Sequence, residues 1–309
     1  MQRTEPALKQ EKRSWLHFPI LRLQMEVEMN APFSLPPFAG SMFRGVLGWA
    51  LRDVCSPDTY AYLFETESNK PGHSSAPRPF VLIPPLGGRR LMAGHRFSFE
   101  LRLFGQGCDF LADFVEAIQV AGEKGLGKAG AGFDLTKIVV HEGASRWVAY
   151  DRVAGWEEAY QPLPSALGAF LSAIPEEADQ VRVLLKTPTR LVHKGKRADL
   201  PLFYLLLKSI QRRLESLLEV HGDCLRPPQV MGQQIQMEQL QATHQVEWLD
   251  WERKSNRQKR RHVMGGLVGE SVFRGHFERD WLLLLKAGEL IHLGKATTFG
   301  MGSLEVGFG

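Results

Sequence analysis

Cysteine is scarce in these 309 residues: Cys55, Cys108 and Cys224 stand far apart. They form neither a disulfide framework nor a CxxC metal spacing, so the expectation is a reduced, cytoplasmic chain without structural zinc. Long apolar runs are also missing. The most apolar stretch, Trp281 to Leu285, is far short of a membrane span, and the polar Met-Gln-Arg-Thr-Glu start leads into no signal core. No membrane partner is expected. An excess of one charge is lacking too: Lys plus Arg (38) exceeds Asp plus Glu (34) by only four, too little to name a nucleic acid as partner. What remains is an ordinary globular composition, 44% hydrophobic and 23% charged, with room for one large domain or two small ones.

The small excess is concentrated. Arg253, Lys254, Arg257, Lys259, Arg260 and Arg261 face a single acid, Glu252, so residues 252–262 carry +5 and the rest of the +4 chain carries −1. Such a run has the composition of a phosphate-tracking surface, with Trp248 and Trp251 before it as base-stacking platforms. It also reads as a solvated face with the two tryptophans in the core.

Periodicity gives the fold. Leu21, Leu23, Met25, Val27 and Met29 alternate with polar residues, as a half-buried strand does. After Gly40 the apolar spacing becomes helical to about Cys55, with Ser41 as N-cap. Strands follow at Phe80 to Ile83 and Phe97 to Leu103. A helix capped by Asp109 then runs to the glycines from Gly122, and a last strand spans Lys137 to His141, continued by Trp147 to Tyr150. Strand, helix, strand, strand, helix, strand is the ferredoxin-like order. Proline, small and acidic residues between 155 and 180 suggest a boundary. The second half repeats the order: a strand at Val181 to Lys186, a long helix capped by Asp199, strands at Gln245 to Trp251 and Gly269 to Phe273, a helix at Phe277 to Lys286 and a strand from Leu304. Leu126-Gly-Lys-Ala129 and Leu293-Gly-Lys-Ala296 occupy the same place in each half, as a duplication would leave them. The expectation is an α+β chain of two tandem ferredoxin-like domains, 1–155 and 181–309, joined by a linker at 156–180.

Gly125-Leu-Gly-Lys-Ala-Gly130 spells GxGxxG, and Gly122 to Ala129 nearly spells a Walker A loop with Ala where Ser or Thr is needed. A nucleotide loop follows a strand and opens a helix; here the order is reversed, which argues against both. The loop His292 to Gly302 carries more. Gly294, Gly300 and Gly302 allow close backbone approach, Lys295 offers a phosphate charge, and Thr297 and Thr298 offer hydroxyls. Its plainer reading is a tight connection before the last strand.

These segments resemble a known family. Gly265-Gly-Leu-Val-Gly269 through Lys295-Ala-Thr-Thr-Phe-Gly-Met-Gly302 is similar to the C-terminal signature of the RAMP superfamily, and more narrowly of the CRISPR-associated Cas-six endoribonucleases. Phe38-Ala-Gly-Ser-Met-Phe-Arg-Gly45, Tyr62-Leu-Phe-Glu65 and Gln211-Arg-Arg213 support it; His292 stands where the family loop has its first glycine. The resemblance implies cleavage of CRISPR precursor RNA into guide RNAs without metal or cofactor. In that reaction the ribose 2′-hydroxyl attacks its own phosphate, leaving a cyclic phosphate and a 5′-hydroxyl. It further implies repeat RNA as partner, held by Arg253, Lys254, Arg257, Lys259, Arg260, Arg261, Gly294, Lys295, Thr297, Thr298, Gly300 and Gly302. Other CRISPR effector subunits and a second copy of the chain are left open as partners. Histidine suits the proton transfers. The family carries it between the first helix and second strand, where this chain has only His73, with Lys70 beside it; a solvated loop histidine is the plainer alternative. His17 and His193 are runners-up. Phe64 stands where some relatives carry a histidine after Tyr-Leu, which leaves open a non-catalytic RAMP subunit that holds RNA without cutting it.

Overall fold

The computed structural model describes residues 13–65, 76–157, 162–254 and 261–309. The opening alternation is strand β1 (Pro19–Met29), with Leu21, Leu23, Met25, Val27 and Met29 buried and Arg22, Gln24, Glu26 and Glu28 half-buried on the opposite face. The short β2 (Phe33–Leu35) leads to helices α1 (Gly40–Val54) and α2 (Pro57–Phe64), then strands β3 (Phe80–Ile83), β4 (Arg89–Leu91) and β5 (Arg96–Phe104). Helix α3 (Leu111–Lys124) is followed by β6 (Phe133–Glu142), β7 (Ser145–Asp151), β8 (Gly155–Trp156) and β9 (Ser165–Ala166). The sheet runs β3-β5-β1-β6-β7-β8, with β9 added beside β1 and the named neighbours antiparallel. Its inner face packs on α1 and α3 through Phe43, Leu47, Phe114 and Ile118.

The second unit begins with β10 (Glu177–Thr189), a hairpin of β11 (Val192–His193) and β12 (Lys196–Arg197), and helices α4 (Phe203–His221) and α5 (Gln234–Glu238). The long hairpin of β13 (Gln241–Lys254) and β14 (Arg261–Glu278), helix α6 (Arg279–Ile291) and β15 (Leu304–Phe308) complete it. Its sheet order is β13-β14-β10-β15. Leaving out the added edge strands, both sheets place the first and third strands centrally and the second and fourth outside, so each unit is ferredoxin-like. No described helix is long and apolar enough to cross a membrane.

The two units share apolar surface. Phe18, Ile20, Val81 and Phe104 of the first belong to the same buried cluster as Leu206, Leu214 and Leu218 of α4. Polar contacts join them as well: Tyr62 Oη lies 2.9 Å from His221 Nδ1, and His221 Nε2 donates to the Pro77 carbonyl at 2.6 Å. Burial lowers the His221 pKa, which suits this neutral, twice-bonded ring. The carbonyls at the end of α6 receive Arg102 from the first unit (Glu289 and Leu290) and Arg213 from α4 (Ile291, 2.6 Å). Two guanidinium groups thus meet the negative end of a helix whose last carbonyls have no partner within it.

Several sequence expectations are corrected. Ser41 lies inside α1, which starts after Ala39 with no side-chain cap. Asp109 caps nothing, because Gly105–Phe110 form a 3-10 turn and α3 starts after Phe110. Asp199 is also not a cap: Leu202 holds that place with extended backbone, and the Asp199 carboxylate pairs with Arg197 at 3.5 Å. Trp147 to Tyr150 does not continue β6; the chain reverses at Gly143 and β7 returns antiparallel. The β13–β14 hairpin and α6 extend beyond the expected bounds, since cross-strand pairing continues to Lys254 and Arg261 where the sequence shows no apolar alternation.

Candidate nucleic-acid interface

The glycine loop after α6 starts where Leu293 N–H donates to Gly302 O (3.0 Å), which closes residues 293–302 on themselves. Thr187 at the end of β10 holds the far side: its hydroxyl donates to Gly300 O and accepts from Ser303 N–H, each at 2.9 Å. Gly302 N–H donates to Pro188 O, and Gly294 N–H to Ser209 Oγ. Between these anchors Thr297–Phe299 make one 3-10 turn that projects into the first unit, against α1 and β3. A Cβ on Gly40 would lie 1.9 Å from the Phe299 carbonyl oxygen, so only glycine permits this approach. Arg44, one turn along α1, lies 4.1 Å over the Phe64 ring and 4.6 Å over Phe299, and its Nε donates to Thr298 Oγ1 at 3.1 Å.

Of the loop residues expected at RNA, Lys295 is exposed and Gly294 half-buried, whereas Thr297, Thr298, Gly300 and Gly302 are buried. The four buried residues shape and seat the loop. Gly294 lies against the Arg190 backbone, and Arg190 continues the surface into a pocket of about 450 Å³ lined by Arg190, Val192, Arg197, Trp248 and Asp250. The Arg197 guanidinium sits 4.1 Å over the Trp248 ring, and Trp248 Nε1 donates to Asp250 Oδ1 at 2.6 Å. Arg190 Nε donates to Gly265 O at 3.1 Å, which fixes the other wall. The β11–β12 hairpin beside it exposes Lys194, Lys196 and Arg197. It is pinned by Tyr204 Oη, 2.8 Å from His193 Nδ1, and burial raises the Tyr204 pKa. Trp251, further along β13, stacks on Phe38 of the first unit with ring centroids 3.7 Å apart.

The basic run divides. Arg253 and Lys254 end β13 and Arg261 begins β14, so they lie on the stems of one hairpin, while Arg257, Lys259 and Arg260 lie outside the described residues. His73 and Lys70 lie outside them as well. Of the other histidines considered, His17 is exposed on the turn Trp15–His17 and His193 lies on the basic hairpin. Arg190 carries no signal in the sequence, whereas Arg197 is legible there only as a basic neighbour of His193 in Lys194-Gly-Lys-Arg197, a basic turn after a long strand. The arrangement offers an exposed lysine, a guanidinium-covered indole and a basic hairpin in series, suited to a polyanion with planar bases.

Two ferredoxin-like folds in tandem, with a glycine loop of the second set into the first, define the class of fold. Comparison narrows the class. Residues 183–304 match the family model of the CRISPR-associated endoribonuclease Cas6, and residues 18–157 match a model described as an N-terminal domain. Thermus thermophilus Cas6 superposes with a TM-score of 0.54 at 16% identity, covering 94% of this chain and 98% of that one. A Cas6 product complex gives 0.56 at 18%, covering 93% and 98%. An uncharacterized protein of Archaeoglobus fulgidus is 26% identical over 290 residues, 89% of this chain and 93% of that protein. Over residues 183–304 the chain is thus similar to the Cas6 family, and its fold as a whole is that of Cas6 structures.

Proposed function

We propose that this chain is an endoribonuclease that binds CRISPR repeat RNA across its two domains and cuts the precursor transcript into guide RNAs. The observation that carries this reading is the Cas6 match over 183–304, the span that contains the seated glycine loop with exposed Lys295 and the Arg197–Trp248 pocket. RNA phosphates would run past Lys295, Arg197 and the basic residues from Arg253 to Arg261, which hold the strand while its 2′-oxygen attacks the adjacent phosphorus. The new bond is P–O2′ and the broken one P–O5′; the 2′-proton must leave and the 5′-oxygen must gain one. His73 is assigned that proton transfer, and Lys70 the charge on the phosphorane. No metal enters the reaction.

Repeat RNA incubated with the protein in EDTA is expected to give one cut, and a 2′-deoxy substitution at the cut nucleotide to abolish it. Cleavage of the deoxy substrate would overturn the mechanism. His73→Ala should lose cleavage and keep RNA affinity; unchanged cleavage would move the role elsewhere. A second reading, a RAMP subunit that holds RNA without cutting it, is favoured by one observation: Phe64 is stacked beneath Arg44 where some relatives place a histidine. RNA bound but never cut would select it.

A further inference from the structure

The outer face of the first sheet, away from α1 and α3, carries a row that no single segment of sequence reveals. Strand register places Arg102 of β5 opposite Arg22 of β1, Arg22 opposite His141 of β6, and His141 opposite Arg146 of β7. Directly opposed residues share a face, so four basic or titratable side chains stand side by side across four strands. The row is graded. Arg102 is buried and committed to the α6 carbonyls, Arg22 is 30% exposed and Arg146 is exposed. One acid serves it: Glu100 accepts from Arg22 Nε (2.6 Å) and Arg102 Nε (2.5 Å). Three guanidinium groups and one carboxylate leave the row at +2 with neutral histidine. Among the described residues the half-buried His141 ring has no hydrogen-bond partner. The next row along β1, β6 and β7, Gln24, Val139 and Val148, is uncharged, and Val148 is exposed.

We propose that His141 and Arg146, backed by Arg22, form a phosphodiester-binding site for single-stranded RNA on the first sheet, with the nucleoside lying over Val139 and Val148. An unpartnered imidazole between two arginines is a donor set lacking its anion, and a ferredoxin-like sheet face is a surface on which single-stranded RNA can lie flat. This rests on the RNA-binding part of the reading above and is independent of whether the chain cuts. The charged groups facing His141 are Arg22, Glu100, Arg146 and Arg102; its pKa is lowered by burial and by the three arginines, with Glu100 opposing. Glu100, held down to about 2 by Arg102 and Arg22 against its burial, stays ionised near neutrality. A bound phosphate reverses the balance at His141, so binding takes up a proton and affinity rises as pH falls from about 7.5 to 5.5.

The test is repeat-RNA affinity against salt and pH for the full chain, Arg146→Ala and His141→Gln. Arg146→Ala is expected to weaken binding about fivefold at low salt and to flatten the log-log salt slope by roughly 0.7. His141→Gln is expected to remove part of the affinity gain toward pH 5.5. An unchanged slope in the first variant together with an unchanged pH profile in the second would overturn the site even if the wild-type protein cuts RNA. Row-dependent binding without cleavage would uphold the site and remove the endonuclease reading; no RNA binding at all would remove both.

Discussion

After α3 the chain turns through Gly125-Leu-Gly-Lys-Ala129, after α6 through His292-Leu-Gly-Lys-Ala296, and the two exits have nearly the same backbone. Gly125 has φ 76° and ψ 169°, His292 φ 60° and ψ 169°; the next glycines, Gly127 and Gly294, have φ 67° and 79°. Both leucines are buried and both lysines exposed. The loops part company in how they close. Leu126 N–H reaches Ala131 O five residues on, whereas Leu293 N–H reaches Gly302 O nine residues on. The four additional residues accommodate the 3-10 turn that meets α1, β3 and Arg44. A turn of the same sequence merely returns the chain in one unit, and in the other it helps to join the units and carries an exposed lysine to the Arg190 surface.

That difference predicts unequal tolerance of a methyl group. A Cβ at Gly302 would sit 1.8 Å from the Leu293 carbonyl oxygen, in a backbone with φ 74°. At Gly130, with φ 62°, the nearest atom to a Cβ is 3.4 Å away. Gly302→Ala is therefore expected to cost about 3 kcal/mol or more, by backbone collision added to strain. Gly130→Ala should cost about 1–2 kcal/mol, from the left-handed conformation alone. Urea denaturation of both variants measures this, and equal losses would mean that the longer loop is no more tightly seated than the short one.

The two loops also show how much of the fold is legible in local sequence. The Leu-Gly-Lys-Ala repeat, the alternation of β1 and β5 and the helical stripes were legible because each depends on residues a few positions apart. The helix starts are not legible locally: Gly40 at the start of α1 packs against the Phe299 carbonyl with no side-chain cap, and the Asp199 carboxylate goes to Arg197 instead of a helix amide. Of the interface, charge and glycine were visible, but the seating of the loop was not. Arg44 and Thr298 are 254 residues apart, and the Arg102–Arg22–His141–Arg146 row exists only through strand register.

A second contrast lies at the first residue of each loop. Gly125 has a backbone geometry that suits glycine, whereas His292 holds nearly the same angles with a fully buried imidazole. Its Nδ1–H donates to Met301 O at 3.0 Å and Nε2 is buried without a partner. Burial, then Arg102 and Arg213, push its pKa down to about 3. The unfolded chain takes up this proton near the ordinary histidine value of about 6.5, well above the folded value. Stability from this group is therefore complete above about pH 6.5 and is lost as pH falls toward 3, by at most about 1.4 kcal/mol per pH unit. His292→Asn, which keeps an amide donor for Met301 O and tolerates positive φ, should flatten the stability profile between pH 6 and 4. An unaltered profile would show that His292 does not resist protonation in the folded protein.

The smallest expected effect separates the two lysines. Lys128 and Lys295 occupy the same position of the repeated tetrapeptide and are both exposed, so they match in sequence context and differ in which loop presents them. If the longer loop is the part of the duplication that meets RNA, Lys295→Ala should weaken repeat-RNA binding by a few-fold and flatten the salt dependence by roughly 0.7 in log-log slope. Lys128→Ala should leave both unchanged. Fluorescence anisotropy at several salt concentrations reads the difference, and neither substitution should alter the melting temperature appreciably, because exposed lysines contribute little to folding. Equal losses would place both loops on the RNA and make them two equivalent contacts along one strand. A loss at Lys128 alone would reverse the assignment, because the loop that joins the two units would then be structural and the one that only turns the chain would hold the substrate.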